Sequence, residues 1–477
     1  MFVALALLAL AVRLPRLAER PMHTDESINA YITGELLAGE AFHYDPKDRH
    51  GPVLFAVAEP LVKLLGARKY TDLTETELRL TPVIIGSAMV LLVGAGVEMF
   101  GFIPCLVAAL LFAFAPLPVY YSRYFIHETL FVAATLGLIL TGWRAWQKNS
   151  AWSAALAGLC AGLLLACKET AVIHLFALGL AMICAWLLPP REKFPSLKII
   201  GVAIIVCLFM SVMLFTWFGQ NWAVFADLRK AVPNFTARAG GEGHAKPFSY
   251  YFHLLDPTMV LMIVAVGGGY AAICEAVSRT RKPYLPLAIY GLAVFLIYSA
   301  IPYKTPWLAL NIWLPLAFVC GFGVEAFWDQ MKNAGGRWFV GIAGAFLLSV
   351  LGAQTKLYAF DQPADEKNPY AYAHTVDDLL GLPPRIAELA KKENLAQPRI
   401  AVVAADAWPL PWYLRNFSQV GYWQPGQDPG PQDFYITTTD VPASLDERLK
   451  NFNSEYFGVR PNVLLVLWVP AAKEARP

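Results

Sequence analysis

About eleven stretches of mostly apolar residues divide the chain, and they restrict it to folds in which helices cross a lipid bilayer. They cover residues 1–12, 79–99, 102–120, 126–146, 151–167, 170–188, 199–218, 257–277, 284–301, 307–328 and 338–354. A helix needs about 20 such residues to span the hydrocarbon core. The composition agrees, because 57% of the 477 residues are hydrophobic and only 16% are charged, against roughly 45–50% and 25% in an average soluble domain. Disordered tails, coiled coils and basic nucleic-acid-binding proteins are therefore disfavoured, and no nucleic-acid partner is expected.

The first stretch resembles a signal peptide in length, and Arg13 and Arg16 interrupt its end. It lacks the charged amino-terminal region and the small-residue cleavage site that such peptides carry. We therefore expect a retained helix.

Lys and Arg in short loops predict the orientation, because cytoplasmic loops are enriched in both. These cations occupy alternate loops, at Arg144, Lys148, Arg191, Lys193, Lys198, Arg279, Arg281, Lys282, Lys332 and Arg337. The amino terminus is then predicted inside and the carboxyl terminus outside. Residues 19–78, 219–256 and the tail from 355 would share the extracytoplasmic side of the cytoplasmic (inner) membrane.

The tail alternates runs typical of strands, at 399–405, 433–437 and 462–469, with helical patterns at 376–393 and 442–451. The predicted fold is therefore an all-α polytopic membrane domain, residues 1–354, followed by a small α/β domain, residues 355–477. Within the first outer segment, amphipathic patterns predict helices at 28–38 and 53–65.

Charged and histidine side chains collect at the predicted outer ends of the spans, where their cost in lipid calls for a reason. The candidate site residues are Asp25, Glu26, His50, Arg123, His127, Glu128, Lys168, Glu169, Tyr303 and Lys304. Cations at this depth suit the phosphate headgroup of a lipid. A carboxylate after the first span is suited to act as a general base on an acceptor hydroxyl.

Each assignment has a plainer alternative. Arg123, Lys168 or Lys304 could extend to lipid headgroups as helix-end cations do. Asp25, with Ser27, could cap the helix at 28–38. His50, beside Gly-Pro, could be a turn residue. No HxH or HExxH spacing occurs, so a divalent metal is not favoured and no metal ligand is assigned.

An ordered set of sequence strings resembles a known superfamily. The strings are HTDESINAY, RHGPVLF, SRYFIHETLF, CKETA, YKTPWL, NPYAYAHT and WPLPWYLRNFSQVGYW. They are similar to GT-C glycosyltransferases of the protein O-mannosyltransferase and aminoarabinose transferase superfamily. Within it, they are typical of a bacterial and archaeal subfamily described as glycosyltransferase or flippase-activity-associated protein.

The resemblance implies a GT-C type fold and a polyprenyl-phosphate-linked sugar as donor. Asp25 matches the acidic residue taken as the catalytic base or as the group that positions the acceptor, with Glu26 as its neighbour. His50 lies where mannosyltransferases have a His-Pro-Pro turn. Aminoarabinose transferases have Glu-Lys-Pro in that region, so their metal-ligand carboxylate has no match here.

The resemblance also implies roles for the outer turns. Arg123 and Glu128 match an Arg and acidic element, and Lys168 and Lys304 match contacts to the donor phosphate. His50, His127, Glu128, Glu169 and Tyr303 are then expected to position the substrate. The expected activity is inverting transfer of a monosaccharide to an extracytoplasmic acceptor, a protein, glycan or glycolipid.

Three other functions stay open. A transporter or flippase for lipid-linked sugars would place ionisable groups near the middle of several spans, whereas here they lie mostly at outer ends. An oligosaccharyltransferase that uses a lipid diphosphate would carry a WWDxG string, which is absent. A non-catalytic assembly partner would tolerate loss of Asp25.

The glycines at 240, 241 and 243 further suggest that residues 219–256 form a lid over the site.

Overall fold

A computed structural model describes residues 1–47, 49–187, 194–241, 244–255, 260–277, 283–441 and 443–471. Five of the cations used to predict the orientation lie outside the described residues, namely Arg191, Lys193, Arg279, Arg281 and Lys282. Glu242 and Gly243 of the suggested lid lie outside them too.

Helices form most of the chain before the tail. They are α1 (Phe2–Arg13), α2 (Thr24–Leu37), α3 (Val53–Leu65), α4 (Glu75–Gly94), α5 (Val97–Phe100), α6 (Phe102–Phe114), α7 (Pro116–Tyr121), α8 (Glu128–Lys148), α9 (Ala151–Leu165), α10 (Ala171–Leu187), α11 (Leu197–Phe215), α12 (Val224–Ala239), α13 (Tyr250–Leu255), α14 (Val260–Val277), α15 (Tyr284–Ala300), α16 (Ala309–Gln330) and α17 (Ala334–Lys356). Short 3₁₀ turns at Tyr70–Asp72 and Pro306–Leu308 precede α4 and α16.

Each predicted apolar stretch contains at least one helix within the described residues, and the stretches 79–99 and 102–120 are each divided between two helices. In the described part of the chain, α4, α8, α11, α16 and α17 are long and apolar enough to cross a membrane, and α1, α6, α9, α10, α14 and α15 are shorter apolar helices. The protein is a multi-pass membrane protein, as expected. The number of spans and their orientation stay predictions.

The first outer segment forms two helices that lie beside the membrane helices. The predicted helix at 53–65 matches α3. Helix α2 begins at Thr24, four residues before the expected start, because His23 caps it. The His23 Nδ1 accepts from the Asp25 N–H at 3.0 Å, and Glu26 accepts from the His23 N–H at 3.2 Å. Asp25 is therefore a first-turn residue of α2, and the expected cap by Asp25 and Ser27 is wrong.

The tail contains the predicted small sheet. After a 3₁₀ turn at Asp377–Gly381 come α18 (Leu382–Lys392), β1 (Arg399–Val403), α19 (Leu410–Tyr413), β2 (Gln419–Trp423), β3 (Phe434–Thr438), α20 (Asp446–Leu449), β4 (Phe452–Arg460) and β5 (Val463–Pro470). The strand order is β2-β1-β3-β5-β4. Strand β1 is parallel to β2 and β3, whereas β5 runs antiparallel to β3 and β4.

The tail packs on the first outer segment. One buried apolar cluster joins Leu54 of α3 to Ile400 of β1 and Trp412 of α19. The Trp412 indole N–H donates to Glu75 at 2.8 Å, and the Met22 N–H donates to the Tyr413 hydroxyl at 2.8 Å. These contacts hold the tail beside the segment that carries Asp25.

Candidate active site

A cavity of about 410 Å³ lies where the outer segments meet. Its walls come from the first outer segment, the turns before α8, α10 and α16, and the segment 219–256. The lining residues include Asp25, Asn29, Lys47, His50, His127, Glu128, Lys168, Glu169, Phe235, Ala239, His244, Tyr298, Tyr303, Thr305 and Trp307. Segments more than 280 residues apart in sequence thus build one polar chamber.

Asp25 lies on one wall, half-buried in the first turn of α2. Its own N–H is held by His23, so the start of the helix is fixed. A helix amino terminus favours a negative charge, because its unpaired N–H groups carry partial positive charge. Within the part of the chain that the structure describes, the Asp25 carboxylate has neither a hydrogen bond nor an ion pair. It is therefore available to a bound substrate.

A second wall carries the buried ion pair of Lys168 and Glu128. Lys168 lies in the turn between α9 and α10, and Glu128 begins α8. Burial alone would lower the pKa of Lys168, but the charge and hydrogen bond of Glu128 outweigh it and raise that pKa. Lys168 is therefore a fixed cation in the chamber.

His50 and Glu169 form a second paired group nearby. The His50 Nδ1 lies 2.9 Å from Glu169 Oε2, and the Tyr44 hydroxyl donates to Glu169 Oε1 at 3.0 Å. Burial opposes ionisation of Glu169, but the His50 charge and hydrogen bond lower its pKa to about 2. Glu169 therefore stays ionised and orients the His50 ring.

The turn that carries His50 is docked on the α9–α10 turn. The Gly51 N–H donates to the Cys167 carbonyl at 3.2 Å, and a Cβ at Gly51 would lie 2.1 Å from the Ala166 oxygen. Only glycine fits this approach. The Gly51 carbonyl in turn lies 3.0 Å from Nε2 of His127, whose pKa burial lowers well below its usual value. His127 is therefore a neutral donor that braces the turn.

The Glu169 carboxylate predicts a pH-dependent contribution to stability. Its pKa falls from 4.5 to about 2 on folding, so the unfolded chain binds the proton more tightly. The contribution is complete above about pH 4.5 and is lost as the pH falls towards 2. At pH 6 we expect the wild type to have a higher free energy of unfolding than Glu169→Gln. This difference should shrink as the pH falls to 2. Unfolding in detergent across that range measures it, and a pH-independent difference would contradict the assignment.

The cavity includes residues that the sequence did not single out as site residues. Lys47 is an exposed cation on its wall, and Asn29 lies one turn after Asp25. Trp307 follows the predicted Tyr303 along the same turn. No spacing signal distinguishes Lys47 from the other outer lysines, so only the tertiary structure identifies it.

The suggested lid lies against the cavity. Phe235 and Ala239 of α12 and His244 line it. Ala245 forms an antiparallel bridge with Tyr303, and the Lys304 N–H donates to the His244 carbonyl at 3.1 Å. The segment is thus placed where a lid would be, while its movement stays a prediction.

The described residues contain no group of three or more His, Cys, Asp or Glu side chains arranged to hold a metal ion.

Comparison with known proteins shows which of them have a similar sequence or structure. Residues 49–217 match the dolichyl-phosphate-mannose-protein mannosyltransferase family. No curated protein sequence matches the chain. ArnT from Cupriavidus metallidurans, solved bound to undecaprenyl phosphate, has a similar structure, with a TM-score of 0.64 and 16% identity over 100% of this chain and 98% of ArnT.

The archaeal oligosaccharyltransferase AglB from Archaeoglobus fulgidus, solved with an inhibitory peptide and a dolichol-phosphate, gives a TM-score of 0.60. The identity is 13%, over 99% of this chain and 76% of AglB. The chain has the GT-C glycosyltransferase fold. The resemblance to the superfamily of protein O-mannosyltransferases and aminoarabinose transferases is thereby confirmed, together with the helical membrane part and the small carboxyl-terminal sheet domain.

Seven of the ten predicted site residues line the chamber of this GT-C fold, namely Asp25, His50, His127, Glu128, Lys168, Glu169 and Tyr303. The other three, Glu26, Arg123 and Lys304, do not line it.

Glu26 points away from the chamber and is fully buried. Its carboxylate accepts from Arg79 at 2.7 and 2.8 Å, from Arg20 at 3.1 Å and from the Phe125 N–H at 2.9 Å. The catalytic role expected for Glu26 stays a prediction that this geometry does not favour, because two guanidinium groups already occupy its oxygens.

Arg123 and Lys304 are likewise engaged in backbone contacts. Arg123 donates to the carbonyls of Arg13, Pro15 and Arg16. Lys304, which is 1% exposed, donates through Nζ to the carbonyls of Lys246 and Ile301. Both cations join outer segments to one another, so the structure does not support the expectation that they contact the donor phosphate.

Proposed function

We propose that the protein is an integral membrane glycosyltransferase that transfers a monosaccharide from a polyprenyl-phosphate donor to a hydroxyl of an extracytoplasmic acceptor. The observation that carries this proposal is one chamber in a GT-C fold. A carboxylate with no partner among the described residues lies on one wall, and cations lie on the others. ArnT and AglB, which have the same fold, were solved with undecaprenyl phosphate and dolichol-phosphate.

In the proposed reaction, Asp25 accepts the proton of the acceptor hydroxyl as that oxygen attacks the anomeric carbon. The bond from this carbon to the phosphate oxygen breaks, and the electron pair leaves with the polyprenyl phosphate. The attack and the departure occur on opposite faces, so the configuration inverts. Because a phosphate is a good leaving group, no separate acid is required.

Lys168 and Lys47 are the cations proposed to hold the donor phosphate. Fixed positive charge stabilises the negative charge that grows on the leaving group. Glu128 already balances Lys168, whereas Lys47 has no ion pair within the described chain. We therefore assign Lys47 the larger share of donor attraction.

His50, His127, Glu169 and Tyr303 are proposed to position the sugar. The His50 and His127 rings lie 5.4 Å apart and are held by Glu169 and by the Gly51 carbonyl. Such preordered donors and acceptors suit a polar ring with several hydroxyls.

The remaining assignments rest on the sequence. We place the active site on the extracytoplasmic side of the cytoplasmic membrane, with the amino terminus inside. Residues 1–354 form the membrane domain, and residues 355–477 form the extracytoplasmic domain.

The test uses purified full-length protein in proteoliposomes with a panel of polyprenyl-phosphate monosaccharides and membrane or protein extracts as acceptors. Release of polyprenyl phosphate together with labelled product is expected for at least one donor. No transfer with any donor would overturn the proposed activity, and equal transfer by Asp25→Asn would overturn the role of Asp25 as base. Movement of intact donor between leaflets without cleavage would favour the transporter alternative instead.

Lys47→Gln should weaken donor binding. Loss of a charge-assisted contact, worth about 1.5–3 kcal/mol, would raise the donor Kd roughly 10- to 150-fold. Lys69→Gln is the matched control, since Lys69 is an exposed lysine of the same outer segment that does not line the cavity. Titration with polyprenyl phosphate measures the Kd, and equal values for both variants and wild type would exclude Lys47 from the phosphate site.

A further inference from the structure

The tail segment 370–375 touches two walls of the chamber without lining it. The Tyr372 carbonyl lies 3.0 Å from Nε2 of His23, and the Tyr372 hydroxyl lies 2.6 Å from Nδ1 of His244. The Thr375 hydroxyl donates to the Met22 carbonyl at 2.7 Å. The segment, part of the NPYAYAHT string, therefore joins the first outer segment to the segment 219–256.

The two nitrogens of His23 have partners that fix its tautomer. The backbone N–H of Asp25 can only donate, so Nδ1 of His23 must accept, at 3.0 Å. The Tyr372 carbonyl can only accept, so Nε2 must carry the hydrogen. In a neutral imidazole one nitrogen donates and the other accepts. The contact with the tail thus favours the tautomer that carries its hydrogen on Nε2. In this tautomer Nδ1 of His23 can accept the hydrogen bond from the Asp25 N–H.

Aromatic neighbours also fix the orientation of the His23 ring. It packs edge-on against Tyr124, Trp307 and His374 at centroid distances of 5.4, 6.0 and 5.4 Å. His23 itself is only 4% exposed. Burial lowers the pKa of His23, which favours the neutral ring that the two hydrogen bonds require.

We propose that segment 370–375 is a positioning strap for Asp25, acting through His23. The Tyr372 carbonyl orients His23, whose Nδ1 fixes the N–H of Asp25 and hence the direction of the carboxylate at the start of α2. The inference rests on the proposed role of Asp25 as base, and it gives the tail a part in the reaction although no described tail residue lines the chamber. His23 is a positioning residue and touches no substrate in this proposal.

The kinetic test compares His23→Ala with His23→Asn in the full-length protein. The Asn Oδ1 can take the place of Nδ1 as an acceptor, and Asn is among the best helix caps. We expect His23→Ala to lower kcat about 10- to 100-fold through misplacement of the base, with little change in the donor KM. His23→Asn should restore kcat only in part, to about three- to tenfold below wild type, because it keeps an acceptor for the Asp25 N–H but loses the contact with the Tyr372 carbonyl.

His43→Ala is the matched control, because His43 is an exposed histidine of the same outer segment that does not line the cavity. It should leave kcat unchanged. A folded His23→Ala protein with wild-type kcat would overturn the strap. A His23→Asn protein as fast as wild type would overturn it too, because that protein lacks the Tyr372 contact, and so would one as slow as His23→Ala.

A spectroscopic test decides the proposal independently of activity. Nitrogen-15 NMR of histidine-labelled wild-type protein in nanodiscs, with His23→Asn to assign the resonance, should show protonated Nε2 and unprotonated Nδ1 at His23. The opposite tautomer, or an imidazolium at neutral pH, would overturn the strap. If the wild type transfers no sugar, the proposed function fails while this measurement still tests the strap.

Discussion

Asp25→Asn is expected to abolish sugar transfer while the protein still folds and binds its donor. The asparagine keeps the shape and the first-turn position in α2, but it cannot take a proton. General base catalysis contributes about 10²- to 10⁴-fold, so turnover should fall by at least this range. Polyprenyl phosphate release under saturating donor measures the effect.

The matched control for Asp25→Asn is Asp227→Asn. Asp227 lies on α12 in the other outer segment, is paired with Lys230 at 2.9 Å and does not line the chamber. It should retain wild-type turnover. Unchanged turnover in Asp25→Asn would remove the assignment of Asp25 as the catalytic base.

Glu26→Gln is expected to lower the stability of the protein strongly and to affect catalysis little. The substitution leaves the guanidinium groups of Arg20 and Arg79 buried without their countercharge. Removal of one partner of a buried ion pair costs about 3–5 kcal/mol. Thermal unfolding in detergent should show a lowered midpoint, and the fraction that stays folded should keep substantial turnover.

Glu19→Gln is the matched control for Glu26→Gln. Glu19 pairs with Arg16 on the surface, where both side chains are about half exposed, so its loss should change stability little. Equal stability of Glu26→Gln and the wild type, together with lost turnover, would restore the catalytic role that the sequence suggested.

The membrane helices could be predicted closely because each one depends on a local property. Lipid requires every backbone group to pair within its own helix, so a run of apolar residues is sufficient to indicate one. Helix ends depend on single side chains. The predicted start of α2 lies four residues too late, because a histidine cap has no strong sequence signal.

The sequence predicts that the tail is a small α/β domain, but it does not predict every strand. The buried strands β1, β3 and β5 have continuous apolar runs, which the sequence reveals. The edge strands β2 and β4 carry exposed polar residues among the apolar ones, and they are strands because neighbours pair with them. The helix expected at 442–451 is limited to Asp446–Leu449 in the described chain.

The sequence by itself determined the kind of molecule and the set of charges among which a site must lie. Apolar runs can be recognised from neighbouring residues alone. Charges at helix ends are informative because a charge is costly to place in lipid. Only the tertiary structure decided which charges share the chamber. Asp25 and Glu26 are adjacent in sequence, yet the turn of α2 directs one into the chamber and the other onto two arginines. That choice depends on contacts with Arg79 and with His23, which are set by packing between distant segments and have no local signal.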